Sequence, residues 1–264
     1  MKIPYYEVDA FCSRTFTGNP AGVCLLKEWL NNHLLQRIAA ENNFAETAFL
    51  KPSGSVHDLR WFTPEVEVDL CGHATLAAAH VLFAERGWKE NVVRFQSASG
   101  ILAATKRDEL IELDFPSRPP TPCAEPPQNL VAGLGIAPRE VLRSRDYFAV
   151  YESPEQIRSL KPDMALLAAL DCLGIIVTAP GIHEDFVSRF FAPGAGVPED
   201  PVTGSAHCTL IPYWSERLGR TELFARQLSK RGGELHCRFL GDRVGIGGRC
   251  VTYCRGEIEI PDSN

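Results

Sequence analysis

Apolar and polar positions alternate over residues 5–11, which predicts a strand, and Thr17-Gly18-Asn19-Pro20 then reads as a turn with Asn19 at a strand-to-loop edge. Leu34, Leu35, Ile38 and Ala39 recur at helical spacing and predict a short amphipathic helix over 32–41. Residues 44–50 alternate again, as a strand that sets Phe44, Glu46, Ala48 and Leu50 on one face, and 57–63 forms the next strand. The helix predicted over 72–86 is apolar on nearly every side. It must be covered all round, so the strands about it have to curl. Residues 92–97, 100–106 and 110–115 follow as a meander of strands.

Residues 116–127 hold six prolines, an extended connector that can be neither helix nor central strand. Beyond it the order recurs: a strand at 147–151, helices at 154–160 and 164–170, and strands at 174–178 and 186–191. A second central helix at 204–218, kinked at Pro212, and strands at 234–239, 243–246 and 250–260 complete it. The recurrence extends to residues. Arg60-Trp-Phe-Thr-Pro64 is answered by Arg189-Phe-Phe-Ala-Pro193, and Gly72-His-Ala74 by Gly204-Ser-Ala206 after a short insertion. The expected architecture is α+β, with two pseudo-symmetric domains, 1–117 and 118–264. Each is a curled, mostly antiparallel, barrel-like sheet around an apolar helix, and the last strand, about 254–264, is free to return to the first domain.

At 264 residues and 45% hydrophobic, the chain can bury two cores of about 130 residues each. The net charge of −6 without a basic block argues against duplex nucleic acid as a partner. No apolar run approaches the roughly 18 residues of a membrane span, and the N-terminal stretch is too acidic for a signal peptide; a cytoplasmic location is expected. The nine cysteines, an odd and scattered set, read as reduced thiols. Cys250 and Cys254 have the spacing of a zinc half-site but no second pair, and read better as two thiols packed on one strand face; no metal is expected.

Each repeat runs strand, Pro-broken loop, then a Gly opening a helix. A helix N-terminus carries unpaired N–H donors and about half a positive charge, so Gly72 and Gly204 would together bind a carboxylate; the plainer reading is that each glycine only permits a tight turn. His73 and Ser205, at matched positions, add side-chain hydrogen bonds there. Glu46 is the only ionisable group of its strand. It is either a buried acid/base with a raised pKa or an edge residue paired with an arginine. Cys71 is answered by Thr203, whose hydroxyl is too weak an acid to be the second base of a two-thiol racemase. Asp200 is a turn residue before Pro201, or a proton shuttle ahead of the second helix. His80 and His207 lie inside helices and read as packing or hydrogen-bonding residues. No phosphate loop, dinucleotide fingerprint or nucleophile elbow occurs.

Four motifs in order, Val8-Asp-Ala-Phe11 with Phe16-Thr-Gly-Asn-Pro-Ala21, Glu46-Thr-Ala-Phe-Leu50, Trp61-Phe-Thr-Pro64 with Asp69-Leu-Cys-Gly-His-Ala-Thr75, and Glu199-Asp-Pro-Val-Thr-Gly-Ser-Ala-His207, resemble the PhzF family of phenazine-biosynthesis-type isomerases, relatives of diaminopimelate epimerase. The resemblance implies two similar domains with an active site in the cleft between them, and commonly a homodimer. It implies Glu46 as the acid/base that moves a proton within a cyclic carboxylate-bearing metabolite, without metal or organic cofactor, as in trans-2,3-dihydro-3-hydroxyanthranilate isomerase. His73, Asp200 and Ser205 are then its companions, and Gly72, Gly204, Asn19, Cys71 and Thr203 line the substrate. Two rivals remain: an amino-acid racemase or epimerase using Cys71, and a metabolite-binding protein without catalysis.

Overall fold

The structure is a computed structural model and describes residues 1–260. It divides into two compact units, one made of Met1–Asp114 with the stretch from Gly247 onward, the other of Phe115–Ile246. In chain order the first unit contains β1 (Lys2–Ala10), β2 (Asn19–Leu25), α1 (Asn32–Asn42), β3 (Thr47–Ser53), β4 (Val56–Phe62), β5 (Glu67–Val68) and α2 (Gly72–His80). A π-helical turn (Val81–Glu85) leads on to β6 (Val92–Ser97), β7 (Gly100–Arg107) and β8 (Leu110–Pro116). Then come β9 (Thr121–Pro122), α3 (Gln128–Leu134), β10 (Glu140–Arg143), β11 (Tyr147–Val150), α4 (Pro154–Ser159), α5 (Met164–Ala168), β12 (Ile175–Pro180) and β13 (Phe186–Phe191). A 3-10 turn (Pro193–Ala195), α6 (Gly204–Leu218), β14 (Glu222–Gln227), β15 (Gly233–Phe239), β16 (Arg243–Gly248) and β17 (Cys250–Glu259) end the chain. β17 pairs along the whole of β1 and so belongs to the first unit.

Strand pairing makes the internal repeat concrete. In the first unit β1–β2 is antiparallel, β2–β3 parallel, β3–β4 antiparallel, β4–β6 parallel and β6–β7 antiparallel. In the second, β10–β11, β11–β12, β12–β13, β13–β14 and β14–β15 follow the same alternation. Each central helix, α2 or α6, forms the crossover of the second parallel pair, because parallel neighbours need a connection that spans the sheet. The fold is mixed α+β with curled sheet and few helices. Gly72 through Ala79 are all buried, and α2 packs on β1, β2, β3, β7 and β17, the all-round cover its composition demands. Leu76 at the centre is fully buried, worth about 1.5–3 kcal/mol relative to exposure. Backbone comes close here: a Cβ on Gly248 would meet the Phe11 ring at 2.5 Å and Leu76 at 3.2 Å.

The repeated Arg-aromatic-Phe strand also has a physical job. Arg60 makes a two-pronged contact with Glu67, Nε to Oε1 and Nη2 to Oε2 both at 2.6 Å, and Arg189 does the same with Glu199 at 2.7 and 3.0 Å. Each guanidinium lies over the phenylalanine two residues on, Phe62 at 5.1 Å and Phe191 at 4.8 Å. A bidentate arginine fixes direction as well as distance, so in both units it ties the Pro-broken loop back onto the strand that feeds the helix.

Several local expectations are corrected. Residues 44–46 are not strand. Asn43 ends α1 in the left-handed region (φ 52°), donating its N–H to Ala39, and the chain bends before straightening at Thr47, so the face shared by Phe44, Glu46, Ala48 and Leu50 does not form. The α-helix predicted to Arg86 gives way to π geometry after His80. Strands β2, β5, β9, β10 and β14 and helix α3 add to the predicted set. In β17, Glu7 faces Cys254 and Val8 faces Thr252. The extra residue, Tyr253, is a bulge that breaks the alternation expected to align Cys250 with Cys254. Pro212 leaves the Cys208 carbonyl without its helical donor, and the Arg118 N–H takes it at 2.8 Å, docking the Pro-rich connector on α6. Among the described residues no helix is long and apolar enough to cross a membrane.

Candidate active site

The parallel β4-to-β6 crossover begins at Gly72, where the chain turns from the extended Cys71 (φ −142°, ψ 120°) into α2. His73 therefore points from the first turn, and β2 and the bend before β3 bring Asn19 and Glu46 to the same place. Asn19 is fully buried, His73 is 5% exposed and Cys71 6%. Around the imidazole, Asn19 Nδ2 lies 3.2 Å from Nδ1, Cys71 Sγ 3.5 Å from the same nitrogen, and Glu46 Oε2 3.2 Å from Nε2. The Glu46 side chain keeps 20% of its surface, the one member of the group that reaches outward. Burial pushes the His73 pKa down to about 3, because an imidazolium there would lose its hydration. His73 is thus neutral, able to donate from one nitrogen and accept at the other.

Nearby, Thr75 Oγ1 donates to the Cys71 carbonyl at 2.5 Å, holding the turn into the helix. Neither Cys71 nor Thr203, the residues preceding α2 and α6, caps its helix with a side-chain hydrogen bond. The first-turn N–H groups of both helices are left to other acceptors.

In the second unit, Asp200, Thr203, Gly204 and Ser205 fall at the start of α6. Thr203 Oγ1 donates to Asp200 Oδ2 at 2.5 Å. Gln227, fully buried at the end of β14, donates to the Asp200 carbonyl at 2.8 Å and to Thr203 Oγ1 at 3.2 Å, and accepts the Thr203 N–H at 2.9 Å. The Thr203 hydroxyl is consumed by this network. Gln227 was not visible in sequence, since a lone glutamine in an unpredicted strand carries no signal. His207 Nδ1 lies 2.8 Å from the Thr203 carbonyl, so Nδ1 is the donor, and burial lowers this pKa to about 4. Ser205 is half-buried, with no side-chain partner among the described residues.

The structure thus brings Asn19, Glu46, Cys71 and His73 into one cluster, and Asp200 and Thr203 into another with Gln227. The position answering Glu46 follows from register: Thr47 pairs Phe62 as Ile175 pairs Phe191, so Glu46 corresponds to Gly174. No side chain fits there. A Cβ on Gly174 would lie 2.1 Å from the Phe190 ring. One repeat supplies a carboxylate and the other fills its place with an aromatic ring.

Glu46, Cys71 and His73 each offer a ligand atom within 4.8 Å of the others. Cys71 faces Nδ1 and Glu46 faces Nε2, however, so an ion bound through one ring nitrogen would leave the third group at the ring's other edge. The set suits proton movement across the imidazole better than a tetrahedral cage.

Over residues 8–256 the chain matches the family model described as phenazine biosynthesis-like protein, PhzC-PhzF. The chain belongs to the PhzF family. An uncharacterized isomerase from Pseudomonas aeruginosa is 51% identical over 98% of this chain and 100% of its own length. A crystal structure of a PhzF-family phenazine biosynthesis protein from Enterococcus faecalis aligns with a TM-score of 0.96 at 48% identity, covering 98% of this chain and 100% of that one. A predicted epimerase from Pseudomonas aeruginosa aligns with a TM-score of 0.76 at 20% identity, over 98% of this chain and 100% of that one, which shows the shared fold. At the level of the PhzF family, the enzyme class is isomerase.

Proposed function

We propose that this PhzF-family protein isomerises a small carboxylate-bearing metabolite, cyclic substrates of the trans-2,3-dihydro-3-hydroxyanthranilate kind among them, with Glu46 as the single acid/base. The observation that carries the reading is the broken symmetry: a carboxylate beside a neutral imidazole in one repeat, and Gly174 with Phe190 in the other. The Glu46 carboxylate takes a proton from a substrate carbon. The C–H electron pair becomes a new double bond, the electrons of the old double bond move to another carbon, and Glu46 returns the proton there. Nothing is oxidised or consumed, so the step needs no metal or organic cofactor. Asp200 and Ser205 are its companions in the reading, and the uncapped N–H groups at Gly72 and Gly204, with Cys71 and Thr203, hold the substrate carboxylate. The reading includes a homodimer at work in the cytoplasm.

A second reading has one observation in its favour: Cys71 Sγ lies against the His73 ring, where a thiol proton can be passed on. That would make the reaction an epimerisation, although the answering Thr203 hydroxyl is held by Asp200 and Gln227. The test is incubation with a panel of small amino, hydroxy and unsaturated acids in deuterated water, followed by mass spectrometry. A shifted double bond with retained or exchanged hydrogen supports the first reading, inversion at a stereocentre abolished by Cys71→Ser supports the second, and tight binding of a panel acid with no exchange would contradict both.

A further inference from the structure

His73 has two ring nitrogens and, being neutral, one ring proton. Which nitrogen holds it decides whether the group beside Glu46 is a donor or a competing base. Two groups converge on Nδ1. The Asn19 amide nitrogen at 3.2 Å has only hydrogens to offer, and the Cys71 thiol at 3.5 Å carries a proton of its own. The amide donor makes Nδ1 an acceptor, and the thiol, a weak donor and a weak acceptor, fits that role. The ring proton is then on Nε2, which faces Glu46 Oε2 at 3.2 Å.

We infer that Asn19 is a positioning residue that fixes His73 as the Nε2–H tautomer, so that the ring N–H faces the Glu46 carboxylate at 3.2 Å and leaves Glu46 as the only base of the cluster. The catalytic consequence rests on the isomerase reading above; the tautomer itself does not.

The backbone around Asn19 is built to hold it still. Phe11 and Phe16 both adopt positive φ, 59° and 68°, a region costly for bulky residues, so the loop between β1 and β2 stays in shape only because its surroundings over-determine it. Phe11 is fully buried, the Phe16 N–H donates to the buried Asp9 Oδ2 at 2.9 Å, and the Cys12 N–H donates to the Arg249 carbonyl at 3.0 Å. Gly18, next to Asn19, sits at φ 72°, where a Cβ would meet the Ala10 carbonyl oxygen at 2.2 Å. Asn19 then enters β2 opposite Ala10. A side chain anchored this firmly can hold one tautomer, because its amide nitrogen stays directed at Nδ1.

The test uses the full-length protein labelled with nitrogen-15 in its histidine rings and long-range proton–nitrogen correlation, with the His73 signals assigned by their loss in His73→Gln. The wild type should show an acceptor Nδ1 and a protonated Nε2. Asn19→Asp keeps the shape but replaces the donor by an acceptor, and should move the proton to Nδ1. Asn19→Ala, which adds no buried charge and guards against failure of the aspartate variant to fold, should give a mixture of tautomers. A protonated Nδ1 in the wild type, or an unchanged Nε2–H signal in the variants, overturns the inference. On a substrate found by deuterium exchange, the aspartate variant should lose at least about 100-fold in kcat with a smaller change in KM, the size of an acid–base contribution. If the tautomers shift as stated while the wild type exchanges no substrate hydrogen, the role of Asn19 stands and the isomerase reading falls.

Discussion

Replacing His207 by asparagine should flatten the acid side of the stability curve. His207 is fully buried in α6, its Nδ1 bound to the Thr203 carbonyl, and burial holds its pKa at about 4 against an ordinary value of 6.5. Below pH 6.5 the unfolded chain takes up a proton at this residue while the folded chain does not. The unfolded state therefore binds more protons, and stability falls as pH falls, by about 1.4 kcal/mol per pH unit for one group until the folded pKa is reached. Between pH 6.5 and 4.5 that sums to about 2 kcal/mol for His207. The asparagine amide can keep the donor on the Thr203 carbonyl, so His207→Asn preserves one hydrogen bond while removing the titration. Urea unfolding at pH 7.5, 6.5, 5.5 and 4.5 measures both proteins. The variant starts less stable at pH 7.5, by about 1–3 kcal/mol for the lost ring packing, and the gap should narrow or reverse by pH 4.5. Parallel curves would refute the reasoning, since they would mean that His207 titrates alike folded and unfolded.

Gly174→Ala should cost about 1–3 kcal/mol, since its Cβ meets the Phe190 ring at 2.1 Å, and Phe190→Leu should recover part of the loss; thermal melts of the two single variants and the double decide it. Gln227→Leu leaves the buried Thr203 N–H and the Asp200 carbonyl without their partners and should destabilise by about 2–4 kcal/mol in urea unfolding; a neutral change would show that the network before α6 is not held by Gln227.

The central helices were legible because nothing else explains a run such as residues 72–83 without a polar face, and the curl of the sheet followed from it. The repeat was legible because Arg60 and Arg189 recur with their aromatic neighbours, though their clamps on Glu67 and Glu199 needed coordinates to see. Strand β2 was hidden because Asn19-Pro20 reads as a turn, and its pairing to β1 and β3 comes from residues far along the chain. Glu46 was found as a chemical group but misplaced as a strand residue, because the apolar alternation runs on into the bend that Asn43 imposes. The contact between Asn19 and His73 spans 54 positions and has no local signature. Motif reading could name both residues and could not join them.

The most direct measurement of the account is turnover by Glu46→Gln on a substrate identified by deuterium exchange, with binding of the same substrate measured by calorimetry. Binding should be retained and turnover should fall by several orders of magnitude, because an amide can replace the shape of the carboxylate but cannot accept the proton. Near-normal turnover by Glu46→Gln would contradict the assignment of Glu46 as the acid/base.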